Sequence, residues 1–231
     1  MGLDKSQYCT YENVFRDEKY RLIVLDMDGT LYFQRKMQFL MCLEMLFFAF
    51  THPLEIWKLR AISVFRKVRE CAGEVQEETA DNSALNVHYE KTAQAMGKTG
   101  CEIQAVIEEW MFKRPLKYID SCRDERLCER INNWKKQGIR VVVYSDYPAK
   151  DKCEALSLQP DAVYSSEDER ISHMKPSAKA LQVIAEDFGI GYDEMLIIGD
   201  RYSRDGKMAE NAGADYLILE KWKYKRNKKW K

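Results

Sequence analysis

The sequence predicts a Rossmann-like parallel α/β sheet, covered by helices on both faces and interrupted after its first strand by an all-α insertion. Three observations point there. Short apolar runs ending in an acid, serine or glycine recur at widely separated places: 21–26, 139–144, 194–198 and 215–219, with a weaker one at 162–164. Helix-period segments lie between the later runs. Between Leu31 and about Pro115 the strand signal vanishes and only helical patterns remain.

Taken in order, Arg21-Leu-Ile-Val-Leu-Asp26 reads as a buried strand feeding a loop at Met27-Asp28-Gly29-Thr30. Helical patterns follow at 37–50, 53–71, 76–96 and 101–112, which makes the insertion 35–115 a separate helical unit. The sheet unit is then discontinuous, formed by 18–34 and 116–221, with a tail at 222–231. A helix over 124–137 precedes Gly138 and the second strand, which ends at Ser145-Asp146. Pro176 suits the first turn of a helix running to Phe188. The fourth strand ends at Gly199-Asp200, a helix covers 203–211, and the last strand follows Gly213. Strands alternating with helices mean parallel pairing.

Composition narrows the class. The chain has 231 residues, 45% hydrophobic and 32% charged, a balance too apolar for general disorder. Its 37 basic and 37 acidic side chains cancel, so global charge offers nothing to a phosphate backbone. The first twenty residues hold no apolar run suited to a secretory signal. Seven cysteines without a C-x-x-C pair suit reduced thiols in the cytoplasm. Composition carries no signal for an oligomeric state.

In an open parallel sheet, residues just beyond the carboxyl ends of the strands share one crevice. Here those ends supply Asp26, Asp28, Ser145, Asp200 and Asp205, with Lys175 just before a helix. Four ionised carboxylates against one ammonium leave about three charges whose repulsion, at an effective dielectric of about 20, reaches several kcal/mol. A hard divalent cation such as Mg²⁺ relieves it and takes oxygen ligands. Asp26 can attack a phosphorus with one oxygen while the other meets the metal. Gly29 and Thr30 bring backbone N–H groups to the phosphoryl oxygens. Asp28 would protonate the leaving alkoxide and then deprotonate water, a role that asks for a raised pKa. Ser145 would hydrogen-bond the phosphoryl group and Lys175 neutralise its charge.

Asp26-Met-Asp28-Gly29-Thr30, the strand ending at Ser145, Lys175-Pro176, and Gly199-Asp200-Arg-Tyr-Ser-Arg-Asp205 together resemble the four ordered motifs of the haloacid dehalogenase (HAD) superfamily. The resemblance covers the sheet unit and implies Asp26 as nucleophile and Asp28 as general acid/base. It also implies Mg²⁺ bound by the Asp26 carboxylate, the Asp28 backbone carbonyl and Asp200, with Asp205 in support. The insertion resembles a helical cap. An acid at position 28 favours phosphate transfer over dehalogenation. The reading is a phosphatase acting on a small organic phosphate monoester through a phospho-aspartyl intermediate. A phosphomutase acting on a sugar phosphate, or a binding protein that keeps the fold without turnover, are the alternatives.

The remaining features have plainer readings. His52, His88 and His173 share no ligand spacing. The stretch 37–50 is the most apolar, and Gln38, Glu44 and its length of fourteen residues argue against a spanning helix. The core of the cap or its contact with the sheet unit is the expected place for it, with an apolar pocket or a membrane surface as the alternative. Met1-Gly-Leu-Asp-Lys-Ser6 fits a myristoylation pattern that chance often produces. Residues 221–231 hold seven basic side chains, no acid, and Trp222, Tyr224 and Trp230. Such a tail can touch nucleic acid or anionic lipid, but a solvated terminus is the favoured reading.

Overall fold

The structure is a computed structural model that describes residues 19–75 and 84–219. The basic tail 222–231, the Met1–Ser6 pattern, Cys9 and the first part of the helix expected at 76–96 lie outside the described residues. Five strands form one parallel sheet: β1 (Leu22–Leu25), β2 (Arg140–Ser145), β3 (Ala162–Ser165), β4 (Met195–Gly199) and β5 (Asp215–Ile218). Their order is β3-β2-β1-β4-β5, which places β1 at the centre. Leu25 pairs with Val143 on one side and Ile198 on the other. This register aligns the carboxyl tips, so Asp26, Ser145 and Asp200 emerge at the same edge.

Alternation along the strands builds two cores. Ile23, Leu25, Val141, Val143, Leu196 and Ile198 face one; Leu22, Val24, Val142, Tyr144, Met195 and Ile197 face the other. The second core is closed by α8 (Lys179–Phe188) and α9 (Lys207–Ala212). The first is closed by α6 (Glu125–Lys136), whose Leu127, Cys128, Ile131 and Trp134 recur at helical spacing and are buried. Asp124 starts that helix by accepting a hydrogen bond from the Leu127 N–H at 3.3 Å.

Between β1 and α6 the described chain is helical: α1 (Gln34–Thr51), α2 (Trp57–Val75), α3 (Ala84–Met96), α4 (Gly100–Ile107), a π-helical turn at Glu108–Lys113, and α5 (Leu116–Ile119). Thr99 and Glu102 form a reciprocal capping box at the start of α4. The two ends of this insertion are stapled together. Phe33 N–H donates to Cys122 C=O at 2.8 Å, and Asp124 N–H donates to Leu31 C=O at 3.0 Å. Met37, Phe65, Tyr89, Ile103 and Trp110 from the insertion join the same core as Ile23 and Leu25.

Two expectations are corrected and one element is added. α8 begins at Lys179, because Lys175 and Pro176 are tied into the site and sit in a turn, with a cis bond between them. A short helix, α7 (Lys150–Ala155), follows β2 in a segment to which the sequence reading assigned no element. Finally, the apolar stretch 37–50 is only partly buried: Met37, Met41 and Phe48 enter the core, whereas Phe39, Leu43, Leu46, Phe47 and Phe50 are exposed. Among the described residues no single helix is long and apolar enough to cross a membrane.

Candidate active site

The carboxyl edge of the sheet gathers its charged groups by topology. Asp26 follows β1, with its N–H donating to Ile198 C=O at 2.9 Å. Asp200 follows β4, and Asp205 sits in a π-helical turn at Tyr202–Gly206. Asp26, Asp200 and Asp205 each place a carboxylate oxygen within 4.8 Å of the others. Lys175, 2% exposed, contacts Asp26 Oδ1 and donates to Asp205 Oδ1 at 2.7 Å. Thr30 Oγ1 donates to Asp26 Oδ2 at 3.0 Å, and Arg201 N–H donates to Asp205 Oδ2 at 3.2 Å.

Two glycines make this closeness possible. Gly29 has φ +91°, and a Cβ there would fall 2.3 Å from Asp200 Oδ2. A Cβ on Gly199 would fall 2.1 Å from Asp205 Cγ. Lys175 is fixed from both sides of its backbone: its N–H donates to Asp146 Oδ1 at 2.8 Å, and its C=O accepts from Arg204 Nη1 at 2.6 Å. Ser145 is buried at the tip of β2, where its Oγ accepts from the Tyr147 N–H at 3.2 Å.

Asp28 departs from the sequence reading. Its carboxylate does not join the three-acid cluster; Oδ1 accepts from Lys152 Nζ at 2.6 Å and from the Tyr32 hydroxyl. The chain turns after Asp26, with Leu31 N–H donating to Met27 C=O at 3.1 Å, instead of continuing extended. The raised pKa expected for Asp28 is therefore corrected. Burial alone would raise it, but the Lys152 charge and the hydrogen bonds from Lys152 and Tyr32 hold it below the usual carboxylate range. Lys152 is a second buried cation in the region, which reduces the uncompensated charge that the sequence implied.

The other acids go the opposite way. Burial pushes Asp26 up to about 8 against the pull of Lys175, with Asp205 and Asp200 adding repulsion. Burial also raises Asp200 to about 6, opposed by Arg201 and assisted by Asp205. Lys175 stays an ammonium: burial lowers its pKa, but Asp205 and Asp26 raise it well above the usual value. Asp200 Oδ1 is buried with no hydrogen-bond partner, its nearest cation being Arg201 Nε at 3.6 Å. An orphaned acceptor beside two further carboxylates fits a hard divalent cation, which would lower all these pKa values together.

A separate network ties the insertion to the loop after Ser145. Arg69 of α2 is buried, donates to Asp146 C=O and to Ser166 Oγ at 3.3 Å, and lies 3.6 Å from Glu167. His88 Nδ1 is 3.2 Å from the same guanidinium, which stacks 4.5 Å above the Tyr147 ring. Lys152, Tyr32 and Arg69 escaped the sequence reading. Nothing local marks them, since each lies inside an ordinary amphipathic or turn segment and meets its partner only through the fold. His52 and His173 bind nothing in the acidic cluster; His173 Nδ1 is 2.7 Å from Ile171 C=O.

A parallel sheet of this order, with an aspartate beyond the central strand and an acid pair beyond its neighbour, defines a Rossmann-like α/β protein with an acidic centre at its carboxyl edge. The chain belongs to the haloacid dehalogenase-like hydrolases, whose family model matches residues 20–213. Similar solved structures include 2-haloacid dehalogenase from Pseudomonas syringae pv. Tomato DC3000, at 15% identity, TM-score 0.59 and 86% of each chain covered. The HAD-hydrolase YfnB from Bacillus subtilis, solved bound to magnesium, has 17% identity and TM-score 0.59 over 91% of this chain and 100% of that one. CbbY from Rhodobacter sphaeroides, solved with xylulose-(1,5)bisphosphate, has 15% identity and TM-score 0.53 over 86% and 85%. At such identities the likeness is one of fold. No curated protein matches the chain.

Proposed function

We propose that the chain hydrolyses a small organic phosphate monoester through a phosphorylated Asp26. The observation that carries this reading is the contact of buried Asp26 with Lys175 beside Asp200 and Asp205. Thr30 and Lys175 hold the Asp26 carboxylate from either oxygen and orient it for in-line attack. In the first step Asp26 bonds to phosphorus and the ester P–O bond breaks. The departing alkoxide takes its proton from the Asp28–Lys152 pair. In the second step water attacks phosphorus, the Asp26–phosphorus bond breaks, and Asp28 accepts the proton of that water. Gly29, Thr30, Ser145 and Lys175 face the phosphoryl oxygens. Asp26, Asp200 and the Asp28 backbone carbonyl, supported by Asp205, would hold Mg²⁺, which supplies charge neutralisation at the transferring group.

The helical insertion 35–115 acts as a cap and carries substrate choice, since the strand-tip residues meet only the phosphoryl group. Free thiols at Cys42, Cys71, Cys101, Cys122, Cys128 and Cys153 support a cytoplasmic setting. The test is release of phosphate from p-nitrophenyl phosphate, with and without magnesium, beside Asp26→Asn. Magnesium-dependent release by the wild type and none by the variant supports the reading. Equal rates for the two proteins remove it.

A further inference from the structure

Helix α1 presents two different faces. Met37, Met41 and Phe48 are buried, while Phe39, Leu43, Leu46, Phe47 and Phe50 point outward. At 3.6 residues per turn, these five fall within an arc of about 100°. Exposure rises along the stripe, from 49% at Leu43 to 87% at Phe50, and reaches 94% at Leu54 in the 3-10 turn Pro53–Glu55. Ile56 continues the patch. The chain bends by 117° there, so the most apolar residues stand on a convex tip.

The charge left uncompensated on this face is positive, because Glu55, the acid of the tip, is paired with Lys58 at 2.8 Å. Arg35 and Lys36 are exposed about one turn before Phe39, Lys36 on the same arc and Arg35 just beside it, and the Lys36 ammonium also meets Ser121 C=O. Glu44, the acid of α1, is off the arc and consumed by Arg114 at 2.8 Å, Lys117 at 2.7 Å and Tyr118 at 2.9 Å. We propose that this face docks on the surface of an anionic lipid bilayer. The tip at Phe50 and Leu54 enters the acyl region, and Arg35 and Lys36 stay at the level of the phosphates. A second copy of the chain fits less well, because Glu55, the acid of the tip, is already paired with Lys58 and is not offered to Arg35 and Lys36 of its partner. Neither helix beside the bend is by itself long and apolar enough to cross, and the 117° bend turns the chain back, which suits a face lying on the membrane surface.

The test is flotation of the full chain with vesicles of phosphatidylcholine alone and with about one third phosphatidylglycerol. Binding to the anionic vesicles is expected, and Phe47→Ser with Phe50→Ser should weaken it roughly tenfold or more. Arg35→Gln with Lys36→Gln should weaken it less and reduce its salt dependence. Circular dichroism and p-nitrophenyl phosphate turnover should be unchanged in these variants. Absence of flotation overturns the proposal. So does flotation insensitive to Phe47 and Phe50 but lost on removing 221–231, which assigns binding to the tail. A dimer in light scattering that the Phe47/Phe50 variant dissociates, without vesicle binding by the wild type, assigns the face to a second copy and also overturns it.

Discussion

Lys152 Nζ lies 2.6 Å from Asp28 Oδ1, and both groups are largely buried. The pair joins the loop after β1 to the helix after β2, two segments more than a hundred residues apart in sequence. It keeps the Asp28 carboxyl ionised in surroundings that would otherwise protonate it. As a carboxylate, Asp28 is ready to accept a proton from water; with an ammonium against it, it also has a proton store at hand.

Lys152→Met should therefore move the acid limb of the kcat/KM profile to higher pH. Without the ammonium, burial dominates and the Asp28 pKa rises. A loss of about tenfold to a hundredfold in kcat with little change in KM is expected. Lys152→Arg should restore part of the rate and return the limb toward lower pH. A profile that keeps its limb in Lys152→Met assigns the lysine a packing role alone.

Gly29→Ala meets two obstacles at once: φ of +91° and a Cβ 2.3 Å from Asp200 Oδ2. The backbone strain alone is worth about 1–2 kcal/mol. Displacing Asp200 should also weaken magnesium binding, readable by calorimetry. Unchanged melting temperature and unchanged magnesium affinity in this variant contradict the packing of Gly29 against Asp200.

Stability should respond to pH in a definite direction when divalent cations are chelated. Asp26 and Asp200 keep their protons up to about 8 and about 6 in the folded chain, whereas the unfolded chain releases them near the usual carboxylate values. The folded state then binds more protons, so their contribution to stability falls as pH rises from about 4 to about 8. Melting temperature should drop across this range more for the wild type than for Asp26→Asn. Magnesium should raise it more at about pH 8 than at about pH 6. A wild type whose melting temperature climbs with pH as fast as the variant's does not have a raised Asp26.

Arg69→Met should destabilise the chain by about 2–3 kcal/mol, because it removes a buried guanidinium that lies 3.6 Å from Glu167 and donates to Asp146 C=O and Ser166 Oγ. Denaturant titration reads the loss directly. A value below about 0.5 kcal/mol is expected only of a surface residue and rules out the guanidinium as the tie between insertion and sheet unit.

The sheet was readable because a buried parallel strand is a continuous apolar run, and the runs before Asp26, Ser145 and Gly199 stop where the chain turns. Asp26, Asp200 and Asp205 were readable because strand tips converge whatever the intervening sequence. Lys152 was not, since α7 is too short for a helical period and a lysine there reads as solvated. The start of α8 was misplaced for a related reason: Lys175 is held by Asp146 and Arg204 and the Pro176 carbonyl by Asn211, and such distant contacts override the local preference of proline for a first turn. Along 37–50, composition showed an apolar helix but not which of its sides would be left uncovered.

If Asp26 carries the phosphoryl group during turnover, acid-quench mass spectrometry finds it there. Asp28→Asn, which lacks the base for the second step, is mixed with p-nitrophenyl phosphate and magnesium, quenched in acid and digested. The expected result is one added phosphoryl group on the peptide containing Asp26, absent from Asp26→Asn. An unmodified peptide, together with phosphate release that continues in Asp26→Asn, contradicts the claim.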